Sequence, residues 1–319
     1  MRAMLKPLGL MMAAALAAGQ SLAGTSALNL GGYVVSGNVT LDALGGMGLE
    51  ASAVTYARDR GSLFVVGDEG LGVIEISLTG QTLGSMAFDW SGTGSSNNDA
   101  EGLTYLGNGR LVVVDERPQM AYQFSFAGGS TLALNDQPKV AITGSSVSVG
   151  NVGTEGISYD PRDGRFWSVK QDNPAELRVA TLTFAVGGGT AQSTTLFSGS
   201  SSLFGLNSLS DIQTLAGVDR LAGTEGADHL LVLSLDSRRL VEIDRSGAVL
   251  SFLDLAAITP QAIEGVTIDE NGVIYLVAED SGTGNSRLIT LTSPVPEPSQ
   301  WALWLTGLGF AGWRAGRRR

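Results

Sequence analysis

Residues 101–117, EGLTYLGNGRLVVVDER, contain the pattern that decides the fold. An acidic residue begins an apolar alternation, a turn at glycine follows, and a second apolar strand ends in acidic residues. The same pattern begins at Glu155 with EGISYDPRDGRFWSVKQDN and at Glu264 with EGVTIDENGVIYLVAED. These three segments are therefore predicted to be copies of one antiparallel strand pair.

Two less regular copies extend the series to five. They begin at Glu50 with EASAVTYARDRGSLFVVGDEG and at Asp211 with DIQTLAGVDRLAGTEGADHLLVLSLDS, where residues 217–228 widen the first turn. The five starting residues are 51, 54, 56 and 53 positions apart. Further strands with period-two character follow several pairs. Four antiparallel strands in about fifty residues, repeated, are typical of a propeller blade.

The sequence thus predicts an all-β fold, a five-bladed β-propeller of four-stranded antiparallel blades. Residues 33–41 are expected to supply the strand that completes the last blade and closes the ring. A β-sandwich with accidental spacing is the alternative. The predicted organisation is a signal peptide over 1–23, the propeller over 24–293 and a sorting or anchor segment over 294–319.

Charge and composition exclude several classes of function. Between the two terminal segments the chain keeps 14 basic and 30 acidic residues, a net charge of −16. Such a surface repels nucleic acid and attracts cations. The chain has no cysteine, which removes disulfides and thiolate chemistry.

The acidic residues that begin the repeats are the candidate site. First strands line the channel of a propeller, so Glu50, Glu101, Glu155, Asp211 and Glu264 are expected to converge at one mouth. Second strands end on the same face and bring Asp68, Glu69, Asp115, Glu116, Asp172, Asp236, Glu279 and Asp280. Oxygen ligands without His or Cys favour Ca²⁺, which predicts a calcium site. In the alternative, the carboxylates accept backbone N–H bonds from neighbouring blades, and glycine permits close packing.

Four segments carry a family resemblance: 101–117, 155–170, 229–247 (HLLVLSLDSRRLVEIDRSG) and 260–280 (PQAIEGVTIDENGVIYLVAED). They resemble the SdiA-regulated family of NHL-like five-bladed propellers over most of residues 45–292. The resemblance implies a propeller with a calcium site and no established enzyme activity. The chain departs from the family pattern at Glu50-Ala51 and in the widened turn of the fourth repeat.

Both chain ends read as export signals. Residues 1–23 combine Arg2 and Lys6 with a short apolar run and small residues before a cleavage site, and a buried N-terminal helix is the alternative. Residues 294–319, PVPEPSQWALWLTGLGFAGWRAGRRR, resemble the PEP-CTERM sorting signal, with Pro296, Glu297 and Pro298 as its motif. The resemblance implies processing by an exosortase-type enzyme and delivery to the cell surface or extracellular matrix of a Gram-negative bacterium.

The apolar part of this tail, residues 301–313, predicts a helix that stops transiently in the inner membrane, because it is short for a permanent span. An ordinary tail anchor is the alternative.

The sequence favours a binding module over an enzyme. His229 is the only histidine, and no G-x-S-x-G elbow accompanies it, so a structural role is expected. The predicted function is an exported binding module whose partner is an extracellular polysaccharide or another surface protein. The alternative is a calcium-dependent hydrolase, phytase-like or lactonase-like, that uses the same acidic face.

Overall fold

The computed structural model describes residues 24–200, 202–280 and 284–293, and within them the chain forms five β-sheets arranged in a ring. The first strand is β1 (Val34–Thr40). Blade 1 contains β2 (Ala51–Ala57), β3 (Ser62–Gly67), β4 (Gly72–Ser77) and β5 (Thr82–Asp89). Blade 2 begins with β6 (Ala100–Gly107), β7 (Arg110–Asp115) and β8 (Met120–Ser125); β9 (Thr131–Ala133) follows in the chain, and β10 (Lys139–Ala141) completes the blade.

The remaining strands form blades 3 to 5. Blade 3 contains β11 (Thr154–Asp160), β12 (Arg165–Lys170), β13 (Ala175–Thr183) and β14 (Thr190–Gly199). Blade 4 contains β15 (Asp211–Thr214), β16 (Leu230–Ser234), β17 (Arg239–Ile243) and β18 (Val249–Asp254). Blade 5 contains β19 (Ile263–Ile268), β20 (Ile274–Ala278) and β21 (Arg287–Thr292) together with β1. The predicted five-bladed propeller is confirmed.

Six short 3₁₀ helices occur in the described ranges, one before β1 and five between strands. They are Leu30–Gly32, Leu44–Gly46, Leu134–Asp136, Leu215–Gly217, Asp219–Leu221 and Glu225–Asp228. The last three fold the widened turn of blade 4, and Leu221 and Ala227 pack from it into the core. Along the described part of the chain, no helix is both long and apolar enough to cross a membrane.

The ring closes through the first and last strands of the propeller. β1 pairs antiparallel with β21, from Val34 opposite Thr292 to Thr40 opposite Arg287. The first strands of the blades also contact one another in the cyclic order β2, β6, β11, β15, β19 and back to β2. The prediction that residues 33–41 complete the last blade is therefore confirmed.

The hydrophobic core lies between the blades. Five clusters of buried side chains occupy the five interfaces between neighbouring blades, including Phe64 with Val113 between blades 1 and 2 and Val112 with Ile157 between blades 2 and 3. Each blade buries both faces, so its second strand is apolar at successive positions, as in Leu111–Val114. Packing between blades, rather than within one sheet, therefore holds the ring together.

Blade 1 has a fifth strand that the sequence did not predict. The connection between β8 and β10 crosses to the neighbouring blade, where β9 pairs in parallel with β5, Ala87 opposite Thr131. This pairing covers the outer edge of blade 1, which would otherwise expose unpaired backbone groups.

Candidate functional site

A ring of polar side chains joins the first strands of all five blades and fixes which residues are equivalent. The backbone N–H of Tyr105 donates to Thr55 Oγ1 at 3.1 Å, that of Tyr159 to Thr104 Oγ1 at 3.0 Å, that of Thr214 to Ser158 Oγ at 3.0 Å, and that of Tyr56 to Thr267 Oγ1 at 3.1 Å. The Thr267 hydroxyl closes the ring by donating to Gln213 Oε1 at 3.2 Å. We call Thr55, Thr104, Ser158, Gln213 and Thr267 the interblade ring.

The residues three positions before the interblade ring occupy equivalent positions in the five first strands. They are Ser52, Glu101, Glu155, Ser210 and Glu264. In four of the five first strands this residue is the extra residue of a β-bulge, because pairing with the second strand skips it. Blade 4 pairs without interruption from Asp211 opposite Leu233. A bulge redirects the side chain of its extra residue.

Two of the five acidic residues predicted to converge at one channel mouth are offset from the bulge positions. Glu50 lies two residues before the bulge position of blade 1, where the structure has Ser52, and Asp211 lies one residue after the corresponding Ser210. Of the five predicted residues, the structure brings Glu101, Glu155 and Glu264 to equivalent positions.

Glu101, Glu155 and Glu264 lie close enough to affect each other's ionisation. Burial, the Glu264 carboxylate and Asp68 raise the pKa of Glu101 well above its usual value. Burial, Glu101 and Glu116 do the same for the pKa of Glu155. Burial raises the pKa of Glu264 to about 8, with a smaller contribution from Glu279 and Asp68. We call these three residues the acidic cluster.

Carboxylates that follow the second strands of blades 1 and 2 lie near the acidic cluster, as predicted. They are Asp68 in blade 1 and Glu116 in blade 2. Glu116 accepts the Gly153 N–H at 2.7 Å and also interacts with Glu155. Asp115 is fully buried, and neither of its carboxylate oxygens has a hydrogen-bond partner among the described residues. Burial raises the pKa of Asp115 to about 7. Carboxyl groups that burial inclines to keep their protons are therefore concentrated at this mouth.

The Asp211 side chain has a structural role. Its carboxylate accepts the Val266 N–H of blade 5 at 2.7 Å and its neighbour Ile212 N–H at 2.8 Å. Burial raises the pKa of Asp211 well above its usual value, although both N–H groups oppose the shift. Gly156 of blade 3 packs against it, since a Cβ there would lie 2.6 Å from the Asp211 Cα. Asp211 is thus the strut between blades that the alternative interpretation described.

Glu50 lies at the edge of the same face. Its backbone is left-handed, with φ of 50°, and its O accepts the Asp68 N–H at 3.0 Å. Burial and the nearby Glu69 and Asp280 raise the pKa of its carboxyl. Glu50 therefore adds charge around the acidic cluster without occupying an equivalent position.

The acidic mouth has oxygen donors suited to a hard cation. Within the described ranges, no group of three or more His, Cys, Asp or Glu side chains stands in an arrangement that could hold a metal ion. The carboxylates instead lie in pairs: the side chain of Glu101 interacts with that of Asp68, and the side chain of Glu155 with that of Glu116. Each pair can share a proton, or it can lose that proton and bind a cation.

His229 has the structural role expected from the sequence. It is buried, and its Nδ1 lies 2.7 Å from Glu242 Oε1. Glu242 also accepts the Ala27 N–H at 2.6 Å and hydrogen bonds from Ser26 and Ser251. This buried pair anchors the segment that precedes β1 to blade 4.

The opposite channel mouth contains a cavity that the sequence interpretation missed. Its volume is about 610 Å³, and its walls come from all five blades. Tyr56, Tyr105 and Tyr159 line it, each directly after an interblade-ring residue. The signal was present in the sequence as the pairs Thr55-Tyr56, Thr104-Tyr105 and Ser158-Tyr159.

Family comparison agrees with this architecture. The SdiA-regulated family model matches residues 32–281, which include all five first strands and the acidic cluster. The chain belongs to the SdiA-regulated family. Among the described strands, only β21, at Arg287–Thr292, lies beyond the matched range.

Solved structures of other proteins are similar to this SdiA-regulated protein. The glutaminyl cyclase of Myxococcus xanthus is similar with a TM-score of 0.51 and 13% identity, over 82% of this chain and 95% of that one. A luciferin-regenerating enzyme has a TM-score of 0.45 and 9% identity, over 81% and 96% of the two chains. At such identities the likeness concerns the fold alone.

The C-terminal segment of the SdiA-regulated protein matches the PEP-CTERM protein-sorting motif over residues 294–319. This motif is a signal for exosortase-type processing and implies export and surface sorting in Gram-negative bacteria. Pro296, Glu297, Pro298 and the predicted helix over 301–313 lie outside the described residues, as does the predicted signal peptide over 1–23.

Proposed function

We propose that this SdiA-regulated protein is an exported, surface-directed binding module whose acidic channel mouth holds a calcium ion. The observation that carries the proposal is the acidic cluster: glutamates from three blades occupy equivalent bulge positions at one channel mouth, and burial and nearby carboxylates raise the pKa of each. A divalent cation would stabilise their ionised forms and so would relieve this repulsion.

The residues proposed to hold the ion are Glu101, Glu155 and Glu264, with Asp68 and Glu116 from neighbouring second strands. Because these carboxylates lie in pairs in the described structure, binding would have to draw the pairs together around the ion. Calcium accepts six to eight oxygen ligands in flexible geometry, and these side chains supply carboxylate oxygens only. Binding would require the carboxylate pairs to lose their shared protons, so calcium affinity should rise with pH.

Calcium titration of the purified exported protein by calorimetry tests this proposal. We expect binding near one ion per chain with release of protons, and a higher melting temperature in calcium than in chelator. The double variant Glu101→Gln with Glu155→Gln should abolish both effects. An unchanged calcium-dependent melting shift in this variant would contradict the proposed site.

A matched double variant controls for loss of charge. Glu225 and Asp254 are exposed, and Glu225→Gln with Asp254→Asn removes the same two negative charges away from the acidic cluster. The Asp254→Asn change keeps a side-chain oxygen that can accept the Ala256 N–H, which Asp254 accepts at 2.9 Å. This control should bind calcium as the unmodified protein does.

We further propose that the surface-sorted propeller binds an extracellular polysaccharide or another surface protein. Support comes from the PEP-CTERM match, which implies surface sorting. His229, which a serine triad would require, is buried against Glu242 instead, and this favours binding over that type of hydrolysis.

Sorting can be tested by replacing Pro296, Glu297 and Pro298 with alanine in a host that carries the exosortase-type enzyme. A sorting signal predicts that the precursor keeps its full size and accumulates unprocessed, since the apolar and basic parts of the tail remain. Size on gels and cell fractionation give the readout. Normal processing of the triple variant would contradict the role of the motif, and absence of processing in the unmodified protein would favour an ordinary tail anchor.

A further inference from the structure

The cavity at the opposite channel mouth has the properties of a ligand site. Its volume of about 610 Å³ lies within the range of small-molecule pockets, and all five blades contribute to its walls. Four interblade-ring residues, Thr55, Thr104, Gln213 and Thr267, line it. Polar groups of a rigid ring and three tyrosines therefore converge on one space.

The charged residues that line this cavity leave a negative balance. Arg58 is the cationic residue of the described lining, and its guanidinium is held by Asp219 through two contacts of 2.8 Å. The neighbouring Arg60 is held in the same way by Glu75, through two contacts of 2.7 Å. Both nearby guanidinium charges are thus already compensated by carboxylates outside the lining.

Two carboxylates of the lining, Asp59 and Glu270, are without such an arginine of their own. Asp59 accepts the Asn108 N–H at 2.9 Å. Although burial raises it, hydrogen bonds from Tyr105 and Asn108 hold the pKa of Asp59 below its usual value, so this side chain is anionic. Glu270 lines the cavity beside Tyr56, and its carboxylate hydrogen-bonds with the Tyr56 side chain. A negative charge therefore lies directly beside one of the aromatic rings.

The tyrosines supply fixed aromatic walls. Tyr105 is stacked on Phe64 with ring centroids 5.8 Å apart, and Tyr159 packs against Phe166 at 5.1 Å. Burial and the side chain of Asp59 raise the pKa of Tyr105 to about 12, so its phenol stays neutral. Neutral phenol rings beside anionic carboxylates attract organic cations through both charge and ring quadrupole.

We propose that this cavity binds a small organic cation, with its ammonium group between the tyrosine rings and the carboxylates of Asp59 and Glu270. The site is separate from the proposed calcium site, which lies at the other end of the channel. It adds a small-molecule ligand to the proposed binding function and does not depend on calcium.

Choline and its uncharged isostere 3,3-dimethylbutan-1-ol form a matched pair of probes. Calorimetric titration of the purified exported protein in chelator excludes any contribution from calcium. We expect choline to bind about 10-fold or more tightly than the isostere, consistent with charge and cation–π contributions. Its affinity should also fall as salt is added. Equal affinity for the two probes, or no choline binding, would overturn the proposal.

Two pairs of variants locate the binding. Glu270→Gln should weaken choline binding by about 5-fold or more through loss of the negative charge, whereas Glu225→Gln, an exposed change of equal charge, should not. Tyr159→Phe keeps the aromatic ring and should bind nearly normally, but Tyr159→Leu should not. Melting temperatures confirm that each variant is folded. Choline binding unaffected by Glu270→Gln and Tyr159→Leu, or competition by a neutral saccharide in preference to choline, would overturn the assignment.

Discussion

Four acidic residues lie at the start of first strands but differ in role: Asp211 on one side, and Glu101, Glu155 and Glu264 on the other. Each of the three glutamates is the extra residue of a bulge, so its carboxylate lies among the other carboxylates. Asp211 begins an uninterrupted pairing, opposite Leu233, and accepts the Val266 N–H of the next blade. A shift of one residue thus separates a repulsive cluster from a structural strut.

Removal of the Asp211 carboxylate should destabilise the interface between blades 4 and 5. Asp211→Ala leaves two buried N–H groups without acceptors, and we expect a loss of about 2–4 kcal/mol in the free energy of unfolding. Asp211→Asn retains an acceptor oxygen and should recover much of this loss. Urea denaturation gives the measurement, with the exposed Asp236→Ala as the matched control. Equal stability of Asp211→Ala and the control would refute the strut.

Sequence spacing located the repeats correctly but could not place every acidic side chain. The acidic residues at 50 and 211 follow the spacing of the repeats, yet the bulges put Ser52 and Ser210 at the channel positions. A bulge depends on how two strands pair, and a single-sequence pattern does not contain that pairing. The hydroxyl-bearing residues 55, 104, 158 and 267 mark equivalence better because each bonds to a neighbouring blade.

At the scale of strands, the interblade ring connects neighbouring blades where their first strands are closest. Each of its hydrogen bonds joins a group in one blade to a side chain in the neighbouring blade. Thr104, for example, accepts the Tyr159 N–H of blade 3. Because hydrogen bonds are directional and apolar packing is not, these bonds fix how far each first strand is displaced along the channel relative to the next.

Thr104→Val should weaken the contact between blades 2 and 3. Valine has nearly the same shape but leaves the Tyr159 N–H without its acceptor, so we expect a loss of about 1–3 kcal/mol in unfolding free energy. Thr181→Val, at an exposed position of β13, is the control and should change stability little. Hydrogen exchange at Tyr159 offers a local readout. Unchanged protection of this amide in Thr104→Val would contradict the assigned role.

Strand prediction succeeded where the local pattern suffices and failed at β9. The apolar runs and glycine turns of the second strands, such as residues 110–115, indicate hairpins without reference to the rest of the chain. β9 was missed because its parallel pairing with β5 in the neighbouring blade determines it, and three residues show little periodicity of their own.

For the whole molecule, the acidic cluster together with Asp115 makes stability depend on pH. The folded-state pKa of Glu264 is raised to about 8 and that of Asp115 to about 7, above their ordinary values. Between their unfolded and folded pKa values the folded protein binds more protons than the unfolded chain. Stability is therefore greatest below this range and is lost as pH rises through it.

We expect the melting temperature of the calcium-free protein to fall by several degrees between about pH 5 and pH 8. Glu264→Gln removes one of the responsible groups and should flatten the profile, whereas the exposed Glu225→Gln should not. Scanning calorimetry in chelator measures the effect. A melting temperature that rises over this interval would contradict the raised pKa values.

The pairing of β1 with β21 has a consequence for secretion. The two strands are separated by almost the whole propeller, yet they form one edge of a single sheet. In a chain exported from its N-terminus, as the predicted signal peptide implies, β1 would reach the far side of the membrane first and would have no partner until β21 follows. Because β21 ends at Thr292, directly before the sorting segment that begins at residue 294, closure of the propeller coincides with arrival of that segment. Folding of the last blade and access of the processing enzyme to its signal are thus linked in time by chain order.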